Sequence, residues 1–422
     1  MTDRQRTVRR PVRPVPPAIV AVCALAIAPA ARAQTPPAQP PPQAQEEKPS
    51  VEIYGFAQAD VIADFKQVNP DWYDVMRPSR LPSFHNEFGE DGHFWVSPRQ
   101  SRFGVRGTLP TSDGDVKATF EIDMFGTGSD AGKTTIRLRH AYGQWKQFGA
   151  GQTNSQFTDV DVFPNSLDYW GPNGMLFFRN VQLFYEVFND GSSNARVALE
   201  QPGASGDAGV LGNRIELQNI RPHFPVPDFT GHYRLGRNWG YVQLGAAVRY
   251  IGYDDLITTD QFNLGGHVWG WGISVSSNLK VSPTDVLHLN VVEGAGVENY
   301  FNDAPIDVGI KANPGNPVTP VVGEALGDFG LVVFLDHTWS DRYTTAVGYS
   351  RVDISNSNGQ APSAYKNGQY ALINLLSTPV KNVMIGGEFQ WTRRENFSDG
   401  FAVNDVRLQF TFKYSFATKL GG

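Results

Sequence analysis

From Val406 to Phe416, apolar and polar side chains alternate without a break. Val406, Leu408, Phe410, Phe412, Tyr414 and Phe416 share one parity, and Arg407, Gln409, Thr411, Lys413 and Ser415 share the other. Successive side chains of a strand point to opposite faces, so this segment has one greasy face and one wet face. The pattern recurs. In 239–251, Val242, Leu244, Ala246, Val248 and Tyr250 oppose Gln243 and Arg249, and in 382–393, Val383, Ile385, Phe389 and Trp391 oppose Glu388, Gln390 and Thr392. The periodicity predicts sixteen strands: 51–65, 99–109, 115–126, 135–147, 149–154, 176–187, 194–201, 228–237, 239–251, 267–279, 285–297, 327–339, 342–353, 367–377, 382–393 and 403–416. An additional strand has room in 202–227, because Arg214–Asn219 also alternates.

The connections alternate long and short. Long ones fall at 66–98, 127–134, 155–175, 202–227, 252–266, 298–326, 354–366 and 394–402. The others are tight turns rich in Gly, Asn, Asp, Ser and Pro, as sharp reversals require. A barrel spanning the outer membrane has short periplasmic turns and long extracellular loops, whereas a soluble sandwich has no reason to sort its loops this way. Trp145, Trp239, Trp339, Tyr343 and Trp391 sit near strand ends, where ring belts meet the lipid headgroups. The fold expected is therefore all-β: a transmembrane antiparallel β-barrel of 16 strands over 51–422, with lipid outside and water inside.

The N-terminus places that barrel outside the cytoplasm. Arg4, Arg6, Arg9, Arg10 and Arg13 precede the apolar stretch Ala18–Ala31, and Ala31-Arg32-Ala33 is a small-x-small cleavage site. Residues 1–33 read as a secretory signal peptide. Residues 34–50, rich in Pro and Gln, read as an extended periplasmic linker. The single cysteine, Cys23, lies in the signal, so the mature chain has no disulfide and no thiolate nucleophile or ligand. Of 36 basic and 42 acidic side chains, six basic and one acidic lie in 1–33, leaving 30 against 41, a net charge of −11. That balance argues against nucleic acid as a partner. The eight histidines are scattered, with no metal-binding spacing or catalytic motif. No metal, cofactor or catalytic residue is expected.

The inward faces of the early strands carry the candidate chemistry. Arg102 and Arg106 alternate with Phe103 and Val105, and Arg137 and Arg139 alternate with Ile136 and Leu138. Between these strands, Glu121 and Asp123 alternate with Phe120 and Ile122. Four arginines thus flank two carboxylates, and counting from the 110–114 turn sets Arg102 opposite Asp123. Rings of charge set pore selectivity, and arginine binds carboxylates through two parallel hydrogen bonds. The cluster reads either as a basic ladder that attracts anions or as a salt-bridge network that stiffens the wall. The long loop at about 154–175 carries Asp159, Asp161, Asp168 and several aromatics. A sixteen-stranded barrel has a wide lumen, which this loop is suited to enter and narrow. Asp159 and Asp161 facing the arginines would produce a transverse field.

These segments together resemble a known family. VEIYGFAQADVIADF, RQSRFGVRG, LRHAYGQW, FGAGQTNSQFTD and RLQFTFKYSF are similar to the DcaP-like outer-membrane porins. The resemblance implies a trimeric 16-stranded channel in outer-membrane lipid that passes small anionic solutes, dicarboxylates among them, between constriction arginines. The matching positions are Arg102, Arg106, Arg137 and Arg139. Two departures stand out: 34–50 is too short and Pro-rich for the family's periplasmic coiled coil, and Phe416 is followed by six further residues. The rival readings are a barrel hydrolase using His140 and a closed barrel serving adhesion.

Overall fold

The computed structural model describes Lys48–Gly421. The expected signal peptide and the linker up to residue 47 lie outside the described residues. Sixteen long strands run antiparallel in one sheet. They are β1 (Ser50–Asp64), β2 (His93–Ser97 and Arg102–Leu109, two segments of one strand), β3 (Val116–Phe125), β4 (Thr134–Trp145), β5 (Phe148–Asn154), β6 (Arg179–Asn189), β7 (Asn194–Glu200) and β8 (Asp228–Arg237), followed by β9 (Gly240–Asp255), β10 (Gly266–Lys280), β11 (Asp285–Ala295), β12 (Gly327–Ser340), β13 (Tyr343–Ser355), β14 (Tyr365–Val380), β15 (Val383–Asn396) and β16 (Ala402–Gly421). Each predicted segment overlaps one of them.

The sheet closes where β1 pairs with β16, from Ser50↔Gly421 to Asp64↔Arg407. Closure satisfies the backbone of every strand on both edges, the condition for crossing hydrocarbon. It also accounts for the residues after Phe416: Ala417–Gly421 continue β16 and pair with Ser50–Tyr54. Two local expectations change. His93–Ser97, assigned to a loop by periodicity, pairs with β1 above the break at Pro98–Ser101. The stretch 202–227 holds no seventeenth barrel strand. Its alternation at Arg214–Asn219 belongs to a 3-10 turn, Ile215–Leu217, and the short strand Ile220–His223 extends the edge of β9.

The side chains are inverted relative to a soluble protein. On β16, Leu408, Phe410 and Phe412 are about half-exposed on the outer wall, at 47, 52 and 47%, while Arg407 and Gln409 inside are 0 and 2% exposed. Only the outer face meets hydrocarbon, so apolar residues belong there. Trp145, Trp239, Trp339 and Tyr343 all sit at short-turn ends and form a belt at that rim. The inner polar face is buried because the connections 65–92, 155–178 and 296–326 fold inward and pack against one another. Phe157, Leu176, Val297, Tyr300 and Phe301 form a buried core between the last two.

Candidate pore constriction

The connection 155–178 lies inside the barrel, held on several walls. The Glu388 carboxylate on β15 accepts the Leu167 and Asp168 amides at 2.7 and 3.0 Å. Gln100, in the break between the two segments of β2, and Gln409 on β16 donate to the Leu167 carbonyl at 3.0 and 3.1 Å. On the far side, Asn278 of β10 donates to the Asp161 carbonyl at 2.6 Å, and the Gly174 amide donates to Ser350 of β13 at 2.8 Å. Gly174 is needed for this approach, since a Cβ there would come within 2.3 Å of the Arg351 carbonyl oxygen. Loop backbone groups inside the lumen have little water, and polar wall residues supply their partners.

The opposite wall carries the charged cluster. Pairing sets Arg102 opposite Asp123, as the turn count predicts. Between β3 and β4 the register slips, with Glu121 opposite His140 and Ile122 opposite Leu138, so Arg139 is an extra residue in a bulge. Strict alternation would put Arg137, Arg139 and Trp145 on one face. The bulge lets both arginines point inward while Trp145 returns to the lipid face. Arg139 donates to Glu121 at 2.6 Å and to Asp123 at 3.1 Å, and Arg137 donates to both Asp123 oxygens at 3.1 and 2.6 Å. The loop joins through Tyr169, whose hydroxyl donates to Asp123 and accepts from both arginines. Tyr54 donates to Glu121 at 2.8 Å. Its ring lies over Gly104, where a Cβ would sit 2.3 Å away.

Between this wall and the loop is a cavity of about 280 Å³, lined by Phe56, Arg102, Arg139, Phe163, Tyr169 and Lys413 among others. Its cations are not equivalent. Arg137 and Arg139 are saturated by carboxylates. Arg102 approaches Glu121 only to 3.6 Å, and its buried Nε has no hydrogen-bond partner. Lys413 makes no ion pair among the described residues; its ammonium sits 5.1 Å from the Phe56 ring, which Arg102 also flanks at 5.2 Å. Arg179, at the start of β6, stacks on Phe177 of the same cavity with one buried Nη unpartnered. Asp168 also lines the cavity, but its carboxylate accepts the Gly171 amide and the Tyr370 hydroxyl, and burial pushes it above the ordinary carboxylate range.

Arg102, Arg137, Arg139, Glu121 and Asp123 are therefore brought together, and the other candidates are elsewhere. Arg106 lies nearer the β2–β3 turn, 54% exposed and paired with Glu52 at 3.1 Å. Asp159 and Asp161 do not face the arginines. Arg234 on β8 binds Asp159 at 2.7 Å and also pairs with Asp161, and Ser276 and Tyr241 donate to Asp159 at 2.6 and 2.9 Å. They anchor the loop to the far wall, where a nearer cation captures them. His140 faces the lumen beside Thr153 at 3.1 Å, whereas lipid hydrolysis would require it on the outer rim. The residues missed were Lys413, Tyr169 and Arg179. Lys413 is visible in sequence as a wet-face residue of the last strand. Only closure brings it beside Arg102, through the pairs Lys413↔Gln58 and Arg102↔Phe56.

The model of the DcaP outer membrane protein family matches residues 37–305. The chain belongs to this family. Among solved structures, the outer membrane channel DcaP of Acinetobacter baumannii is 22% identical, with a TM-score of 0.70 over 87% of this chain and 97% of that one. An anion-selective porin from Comamonas acidovorans is 11% identical, with a TM-score of 0.53 over 87% and 100%. In-vitro folded OmpT of Vibrio cholerae, in a trimer form, is 10% identical, with a TM-score of 0.51 over 87% and 99%. No curated protein matches the chain. Membership of the DcaP family and the closed barrel make this an outer-membrane channel, and the Acinetobacter and Comamonas neighbours are a channel and a porin.

Proposed function

We propose that this member of the DcaP family is a passive porin, trimeric and directed to the outer membrane by a signal peptide at 1–33, that admits small hydrophilic anions, carboxylates and dicarboxylates in particular. The observation that carries the reading is the pair of cations left without a close carboxylate partner at the narrow cavity, Arg102 and Lys413. Glu121 and Asp123 offset two of the four charges on Arg102, Arg137, Arg139 and Lys413, so the cluster keeps a net positive charge facing the lumen. The connection 155–178 acts as the constriction loop and sets the solute size limit. The anion-selective neighbour and the trimeric one support the same reading by analogy of fold.

Reversal potentials in planar bilayers across a salt gradient test it. A unit charge about 7 Å from a passing ion contributes roughly 0.6 kcal/mol in water, with opposite sign for anion and cation, so each neutralisation should lower the anion/cation ratio roughly sevenfold. Arg102→Gln with Lys413→Gln should therefore remove most of the selectivity. An anion/cation ratio unchanged in the double variant would refute the assignment, and absence of any conductance in the wild type would refute the porin reading itself.

A further inference from the structure

The outer wall over β13–β16 is layered at its long-loop end. Outward-facing Val347, Ile373, Phe389 and Leu408 stand in one row of adjacent strands, since pairing aligns Val347↔Ile373, Ile373↔Phe389 and Phe389↔Leu408. One pleat higher come Tyr349 and Trp391. The next row is polar: Arg351, Gln369, Arg393 and Asn404, aligned as Arg351↔Gln369, Gln369↔Arg393 and Arg393↔Asn404. Asp353 and Glu395 stand one pleat above the arginines. From the membrane outward, the order is hydrocarbon, aromatic, guanidinium and carboxylate.

Two features distinguish this face from a generic barrel rim. First, the guanidinium groups are two strands apart, close to 10 Å, and each is tied only to its own neighbour. Arg393 donates its Nε to Glu395 at 2.9 Å, leaving its Nη groups without a partner among the described residues, while Arg351 holds both Asp353 oxygens through Nε and Nη at 2.5 and 2.7 Å. Both pairs are partly exposed, and Arg393, with a single contact, is the more readily drawn to a phosphate. Second, an apolar groove of about 610 Å³ runs below the arginines across β14, β15, β16 and the adjoining β1 and β2, lined by Ile373, Phe389, Leu408, Phe410, Val61 and Phe94 among others. Gly387 leaves its floor open, with no atom near the place of a Cβ.

We propose that this face binds one class of ligand, a phosphate-bearing glycolipid of the outer leaflet. The groove takes an acyl chain, and Arg351 and Arg393 take the headgroup phosphates. The chemistry suits that occupant: guanidinium groups bind phosphate through paired hydrogen bonds, and the carboxylates above can hold a divalent cation shared with it. The groove lies at hydrocarbon depth and the arginine row two pleats above it, beyond Tyr349 and Trp391, the separation expected between the acyl chain and the phosphates of one lipid.

The test uses the purified full-length channel in detergent, incubated with lipid A or with enzymatically dephosphorylated lipid A and examined by native mass spectrometry. The wild type should retain lipid A several-fold more than the dephosphorylated form. R351Q with R393Q should abolish that difference, and G387F should reduce retention of both lipids. Heat-modifiable mobility and unchanged conductance confirm that the variants fold, since none of these residues lines the lumen. Equal retention of the two lipids by the wild type, or a phosphate preference that survives in the double variant, overturns the proposal. It is also overturned if the double variant separates into monomers with lipid retention unchanged, which would make this face a contact between copies of the chain.

Discussion

Arg137 and Arg139 look like Arg102 in sequence, yet they are paired differently. Arg139 is the one close cation of Glu121, so Arg139→Ala should leave that buried carboxylate with Tyr54 and the more distant Arg102, while Arg137 and Tyr169 still hold Asp123. Breaking such a buried pair costs about 3–5 kcal/mol. Arg137→Ala should cost less, because Arg139 and Tyr169 still hold Asp123. Arg102, loosely paired, should be replaceable by Gln within about 0.5 kcal/mol. Urea midpoints in detergent micelles would rank the three as Arg139, Arg137, Arg102, while anion selectivity should follow Arg102 and not Arg137. If Arg102 proved the most damaging to stability, the division between structural and solute-facing arginines would fail. Alternation along β2, β3 and β4 is enough to find these residues. It cannot say which arginines are already satisfied, because that depends on the bulge at Arg139 and on Tyr169 arriving from a distant loop.

At the scale of elements, the inward loops decide the width of the lumen. Glu388 holds two successive amides of the 155–178 loop, so Glu388→Leu should release its tip. Single-channel recordings should then show higher mean conductance and more open-state noise. A second inward connection carries a pH dependence. Glu298 is 1% exposed, and burial together with the adjacent charge of Asp328 raises its carboxyl well above the ordinary range. A raised folded value means that the folded protein keeps a proton the unfolded chain gives up. That contribution is full below the ordinary carboxyl value, near 4.3, and is lost as pH rises through the folded value. The channel should therefore lose thermal stability as pH rises above the ordinary carboxyl value towards the raised folded one, and Glu298→Gln should flatten that loss. A variant with the same pH slope as the wild type would point to another group. Loop length and aromatic content indicate in sequence that a loop can enter the barrel. The partners it finds there are set by which polar side chains face it at the same height.

For the whole molecule, the seam between β1 and β16 is the vulnerable point. Deleting 417–422 removes the rungs Tyr54↔Ala417 through Ser50↔Gly421. At about 1 kcal/mol per net hydrogen bond, a few kcal/mol should be lost, seen as unfolding at lower temperature in a heat-modifiability assay. A tail outside the sheet would be dispensable. Processing is a separate expectation: the mature chain should begin at Gln34, which intact-mass measurement would establish. Strand number, membrane face and loop sidedness follow from alternation and turn chemistry, because in a barrel each strand reports its own orientation without reference to any other. Neighbour identities across the seam, the slip at Arg139, and the capture of Asp159 and Asp161 by Arg234 depend on registers and distances between segments far apart in the chain. The sequence alone thus determined a closed wall with a greasy outside and a charged inside. The tertiary structure alone decided which of those charges cancel and which stay open to a solute, because cancellation is a matter of a few ångströms between residues that only folding brings together.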